Sequence, residues 1–278
     1  MSNRTSFNIA RLFSVFLIAF VLSGCGAPTS ESQPFWDTRN EQSQQSVDHS
    51  DWQELLDNYL DDDHESGVNR FDYESVSAPH KVLLKTYLES LQAIDPRELN
   101  SNEQLAYWIN LYNSQTAYVV MKGLEEDNID SIKDIWSNAV TPGPWDIEGL
   151  TIAGQKVSLN IIEHGILRPI WNDRRLHYAL NCASIGCPSL LSTAFTSDLV
   201  NELMDEAEED FLGHSRAVSV DNGELILSSL FDWYATDFAG SQEELISYLL
   251  DFVDDDTFEG IENHTSVSYA YDWNLNKP

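Results

Sequence analysis

Basic residues are scarce in this 278-residue chain: 15 Lys and Arg stand against 46 Asp and Glu, a formal net charge of −31. A chain with that field repels nucleic-acid backbones and anionic membrane surfaces, which argues against nucleic-acid partners. The excess acid reads as a solvated surface. Its clusters, Asp61-Asp62-Asp63 and Asp254-Asp255-Asp256, do not make a calcium loop. Counted from Asp61, Gly67 falls one position late and position twelve is Asp72. They read as solvated loops. Cysteine is also sparse, with three in the chain. None has the C-x-x-C spacing of a zinc ribbon or a dithiol redox centre, and no metal or cofactor is called for. The apolar run Leu12–Leu22 is too short to span a bilayer comfortably. Internal repeats are lacking.

What is there begins with a leader. Arg4 and Arg11 precede the apolar run, and Leu22-Ser23-Gly24-Cys25 follows it. A cysteine directly after small residues is what lipid transfer and lipoprotein signal cleavage require. The expectation is a signal peptide over 1–24, with Cys25 lipidated and anchoring the chain to a membrane. Gly26 follows Cys25 where Asp would retain a lipoprotein at the inner membrane. By resemblance to sorting rules in Gram-negative bacteria, this places the protein on the periplasmic side of the outer membrane. Residues 25–50, rich in Ser, Gln, Asn and Asp, read as a flexible tether carrying isolated Phe35 and Trp36. Residues 51–278 read as one globular domain.

Within that domain helical periodicity dominates. Trp52, Leu55, Leu56 and Tyr59 share a face, as do Val82, Leu83, Tyr87, Leu88 and Leu91. The strongest helix runs from Ser101 to Leu124, with Ser101 and Gln104 as a capping box and a stripe of Leu105, Trp108, Ile109, Tyr112, Thr116, Val119 and Val120. Asn110 and Asn113 share a face of it and need partners, either neighbouring backbone or a ligand. Ile129–Trp136 reads as a short helix. Two short strands flank Gly154-Gln155, and Ser158 caps a helix carrying Glu163, His164 and Arg168. His164 lies four residues before Arg168 and so faces it. Leu176–Leu180 reads as a buried strand delivering Asn181 and Cys182 into a tight loop. Asp221-Asn222-Gly223 marks a hairpin. Further helices are expected at 196–212, 229–238 and 241–253. The aromatic end, Tyr271-Asp272-Trp273, reads as a docked tail. Few strands among many helices give an α+β class: a mostly helical single domain with a small, mainly antiparallel sheet.

Several stretches together resemble the domain-of-unknown-function 547 family. They are Gly67–Tyr73 with Glu74, Ala106-Tyr107-Trp108-Ile109-Asn110-Leu111-Tyr112-Asn113, Ser158–Arg168, His177–Pro188, Phe231-Asp232-Trp233-Tyr234 with Asp237-Phe238, and Tyr271–Asn276. They occur in the family's order. The resemblance implies a shared domain and no defined reaction. Some members are joined to glutaredoxin-like domains, which hints at thiol chemistry by association.

The chemistry centres on Cys182 and Cys187. In an oxidising periplasm a structural disulfide between them is the default. A second reading makes Cys182 the nucleophile of a thiol-dependent hydrolase or transferase acting on envelope peptides, with His164 or His177 as base and Glu163 or Asn113 as orienter. In it Asn110 polarises a substrate carbonyl, and Arg168, Arg174 and Arg175 hold a carboxylate. As the ends of a strand, His177 and Cys182 would point to opposite faces, so His164 is the better base. A metal site on His177, Cys182 and Cys187 and a redox-active disulfide are the remaining readings. Against the enzyme stands a binding role, in which Asn110, Asn113, Arg168 and Glu163 line a pocket that captures a small anionic ligand or a peptide partner without turnover. Oligomeric state is not legible.

Overall fold

In the first half of the chain three helices form on the expected apolar periods: α1 (Ser50–Tyr59), α2 (Ala78–Gln92) and α3 (Ser101–Glu126). The fold is that of a computed structural model describing residues 30, 32–135 and 143–278. The signal peptide at 1–24, Cys25 and Trp136 lie outside the described residues. Among the described residues no helix is long and apolar enough to cross a membrane.

Helix α3 is the axis of the core. Its expected stripe is buried, and so are Tyr107, Asn110, Leu111, Asn113 and Ser114 on its other faces. A helix enclosed on every side must pair its polar side chains internally. Tyr107 accordingly donates to Leu91 O at 3.0 Å, and Ser114 to Asn110 O at 2.6 Å. The cap is one residue earlier than the capping box placed it: Asn100 Oδ1 accepts from Glu103 N. Helix α2 is turned slightly from its expected pose. Leu84, Tyr87, Leu88 and Leu91 face the core, whereas Val82 is 65% exposed.

The flexible tether expected over 25–50 is corrected from residue 32 onward. Trp36 is 1% exposed and meets Trp108 edge to face at 5.2 Å. Asn40 N donates to Leu99 O, Val47 N to Glu103 Oε1 and Gln33 N to Gly165 O. Two buried aromatic or imidazole anchors outweigh a polar composition, because each removes a large apolar area from water. The second anchor is His49, 5% exposed, with Nδ1 2.6 Å from the Tyr87 hydroxyl. Burial lowers its pKa from 6.5 to about 4, with Asp48 acting weakly the other way. Its contribution to stability is fully present above its ordinary value and is lost as pH falls towards about 4. Between pH 7 and pH 5 the loss expected from such a shift is about 2 kcal/mol. Urea unfolding at the two pH values checks this, and His49→Gln should flatten the difference. An unflattened profile would place the sensitivity elsewhere.

The strands are short. β1 (Leu60–Asp61) pairs antiparallel with β2 (Arg70–Phe71), and β3 (Leu150–Ile152) with β4 (Gln155–Val157) across Ala153 and Gly154, both at positive φ. After them comes a π-helix, Ile161–Leu167, continued by α4 (Arg168–Trp171). Residues Leu176–Ala179, expected as a strand, form a helical turn, α5. A five-residue apolar run fits either period, and here the 174–176 carbonyls accept from the following turn. α6 (Val200–Leu212) packs on α5. β5 (Val218–Asp221) and β6 (Glu224–Ser228) form the expected hairpin over Asn222 and Gly223, at φ 49° and 82°.

Beyond the hairpin, the expected helix over 229–238 is broken at Tyr234 into α7 (Leu230–Trp233) and α8 (Ala235–Phe238). Ser241 caps α9 (Gln242–Leu249) by accepting from Glu244 N. The acidic run at 254–256 starts a helix and is not a loop: Asp254 caps α10 (Asp255–Glu262), accepting from Thr257 N at 2.7 Å. β7 (Ser266–Ala270) then adds to β6 in parallel, in an otherwise antiparallel set of pairings. The class is α+β, mostly helical with small sheets.

The C-terminal tail is docked as expected. Ile185 N donates to Asn274 O, Gly186 N to Asp272 O and Asn276 N to Ala183 O. At Gly186 a Cβ would lie 2.7 Å from Asp272 N, so only glycine permits that approach. Tyr73 donates to Asn276 Oδ1 at 2.6 Å, which ties the 67–73 segment to the same tail.

Candidate functional site

A cavity of about 420 Å³ opens between the π-helix, the 180–188 loop, α7 and the docked tail. That is a common size for a small-molecule site. Glu163, His164, His177 and Cys182, the four side chains read as catalytic candidates, all line it. Six aromatics share the wall, Tyr112, Trp145, Trp233, Tyr234, Tyr271 and Trp273, beside Lys133, Asn160, Leu180, Cys187, Pro188 and Leu230.

The π-helix is why two consecutive residues reach one cavity. In an α-helix successive side chains diverge by about 100°. The wider π turn, closed here by Arg168 N on Glu163 O, narrows that angle. Pro169 has no N–H to offer back to this helix, and Gly165 O accepts from Gln33 N of the N-terminal segment at 3.1 Å.

Glu163 is 8% exposed, and its Oε2 accepts from the Tyr112 hydroxyl at 3.0 Å. Burial first, and then the Glu163 carboxylate, push the Tyr112 and Tyr234 hydroxyls well above the usual phenol range. Both therefore stay protonated as donors. His164 Nδ1 lies 2.9 Å from Arg168 Nη1 and 3.7 Å from Glu163 Oε1. A guanidinium only donates, so Nδ1 accepts and the ring proton sits on Nε2. Burial lowers the His164 pKa, Glu163 opposes that, and Arg168 and His177 add to it. The result is a neutral imidazole next to a carboxylate, with its proton on the nitrogen turned away from Arg168.

Behind this pair, Asp237 Oδ2 joins Arg168 Nε at 2.6 Å and His177 Nε2 at 2.8 Å. Burial raises the Asp237 pKa, but the hydrogen bonds from His177 and Arg168 outweigh it and hold the carboxyl below its usual range. Tyr234 packs within this group, 4.2 Å from the His177 ring and under the Arg168 guanidinium at 4.8 Å. Asp237→Asn is expected to cost about 2 kcal/mol at pH 7, a buried-pair loss discounted for partial exposure. Because the folded pKa is depressed, that contribution exists above about pH 4 and is lost as pH falls further. Chemical denaturation of both proteins should therefore converge in acid. A constant gap would mean that Asn fails for steric reasons.

Cys182 and Cys187 lie at disulfide distance, and both line the cavity. The Cys182 sulfur has the Tyr271 hydroxyl at 2.9 Å and Ser184 Oγ at 3.6 Å as partners, and no histidine. Ala183, at φ 58°, turns the loop, and Asn181 pins it by accepting from Ala183 N and donating to Pro188 O. Among the described residues no group of three or more His, Cys, Asp and Glu side chains is placed to hold a metal ion.

Three ligand-binding assignments are corrected. Asn110 Nδ2 donates to Phe195 O and its Oδ1 accepts from Phe195 N, at 2.7 and 3.0 Å. Asn113 does the same with Ala179 O and Asn181 N, at 2.9 and 2.8 Å. Both amides are spent on backbone, and neither lines the cavity. Arg168 stands behind the wall, with Asp237 and His164. The arginines do not converge, since Arg174 pairs with Glu208 and Arg175 with Asp173 and Asp205.

Tyr112, Trp145, Trp233, Tyr234, Trp273 and Asp237 do not stand out in the sequence as site residues. Most sit in the very motifs that carried the family resemblance, and aromatics beside a terminus were the usable signal. Fold and site thus define an α+β domain built around one buried helix, with an aromatic cavity over a Glu-His pair. Residues 96–212 match the family model described as "Protein of unknown function, DUF547". The central segment, with Glu163, His164, Arg168, His177 and both cavity cysteines, therefore belongs to that family. Comparison with curated proteins and with solved structures finds no match.

Proposed function

We propose that this protein is a periplasmic lipoprotein, anchored through Cys25 to the outer membrane, that binds a small molecule or peptide end in the aromatic cavity. The observation that carries the binding role is Glu163: a carboxylate 8% exposed, set among phenols and indoles at a ligand-sized space. Such a group favours a ligand that brings a hydrogen-bond donor. With the arginines engaged by acidic partners, the ligand is one that faces Glu163, not an anion. The thiol-dependent hydrolase or transferase has less to support it. Its nucleophile is at disulfide distance from Cys187 and lacks an adjacent base.

Tryptophan emission reports the cavity directly, because Trp145, Trp233 and Trp273 line it. A panel of amines, short peptides, amino sugars and carboxylates is expected to yield compounds that shift the emission saturably. A flat response throughout would oppose the binding role. For the anchor, Cys25→Ala should move the protein from the membrane fraction to the soluble one, and unchanged fractionation would refute lipidation.

A further inference from the structure

Resting on that binding role, we infer that the cavity is selective for an organic ammonium cation, with Glu163 as its counter-charge and the tryptophan and tyrosine faces as its walls. The carboxylate has no Lys or Arg within ion-pair distance among the described residues; its nearest basic group is His164, at 3.7 Å and neutral. Its close partner is the Tyr112 phenol. A buried carboxylate held only by neutral donors gains more from an incoming cation than from any other ligand class.

The walls favour the same class. Indole and phenol faces attract cations through the ring quadrupole, most strongly when water is excluded. Trp233, Tyr271 and Trp273 stand against one another at 4.5 to 5.5 Å in the cavity wall, and Tyr234, also in the wall, stands by His164. The chain itself already uses this surface for a cation: Lys133 Nζ rests 4.4 Å from the Trp273 ring centre. Lys133 is exposed, so its ammonium can leave the ring at little cost. The field of a chain at −31 concentrates cations and repels anions at the entrance.

The test titrates the full mature protein with choline and with its neutral isostere 3,3-dimethylbutan-1-ol, followed by tryptophan emission at low ionic strength. Choline is expected to bind saturably and at least tenfold more tightly than the alcohol. Glu163→Gln keeps an acceptor for Tyr112 and should weaken choline tenfold or more with an unchanged melting temperature. Lys133→Ala removes the competing ammonium and should tighten choline about threefold, which a merely apolar pocket would not do. Equal affinity for the two probes overturns the inference, as does choline binding that ignores Glu163→Gln. Absence of saturable choline binding overturns it too. If another compound class then binds, the cavity's binding role stands without the cation; if nothing binds, both fall.

Discussion

Trp36→Ala is expected to destabilise the folded chain by about 4 kcal/mol, the range of a large aromatic removed from a packed core. Trp36 lies in a stretch whose composition suits a linker, yet it is 1% exposed and packs at 5.2 Å on Trp108 of the central helix. Phe35 stacks edge to face on it at 4.7 Å and carries the Arg97 guanidinium at 4.2 Å. The segment also reaches the site, since Gln33 N supplies the bond that Pro169 cannot give to Gly165 O. Loss of Trp36 should therefore loosen the π-helix as well as the core. Denaturant unfolding measures the first effect, and hydrogen exchange at residues 161–168 the second. A change below 1 kcal/mol would return residues 32–49 to the status of a tether.

Asn113→Leu is expected to cost about 4 kcal/mol. The substitution adds apolar bulk where burial alone would favour it, so the sign comes entirely from hydrogen bonds. The Asn113 amide closes on Ala179 O and Asn181 N, and both backbone groups are buried. Left without partners, each carries a desolvation cost of about 1–3 kcal/mol. The loop from Asn181 to Pro188 begins at this splint, so the variant should also lose order around the Cys182–Cys187 wall of the cavity. Asn113→Asp keeps the acceptor for Asn181 N but sets a buried carboxylate oxygen against Ala179 O, so it should not restore wild-type stability. If Leu were tolerated, Asn113 would be available for the ligand role that the geometry now denies it.

Much of the fold is legible in the sequence because helical periods, caps and the Asn222-Gly223 turn are local signals. The docked tail is legible too, since paired aromatics near a terminus have few other uses. What escapes is set by long-range partners. Nothing near Leu176–Leu180 separates strand from helix, and nothing near Trp36 announces Trp108. The π turn depends on a proline and on a backbone amide more than 130 residues away in the chain. The site was half legible. Glu163, His164 and His177 stand out by their chemistry and do line the cavity. Asn110 and Asn113 stand out for the same reason, but their amides match backbone groups that only the folded chain presents. The aromatic wall reads in sequence as a family signature and as core, because a tryptophan's role depends on which face is left bare.

The most direct test of the cavity as the functional site is a crystal structure of the mature protein with the tightest-binding compound of the emission panel. Density is expected between Trp233, Trp273 and the Glu163 carboxylate, with a donor of the compound on Glu163 and Cys182 still joined to Cys187. Density at any other surface, or covalently attached to a free Cys182, would contradict it.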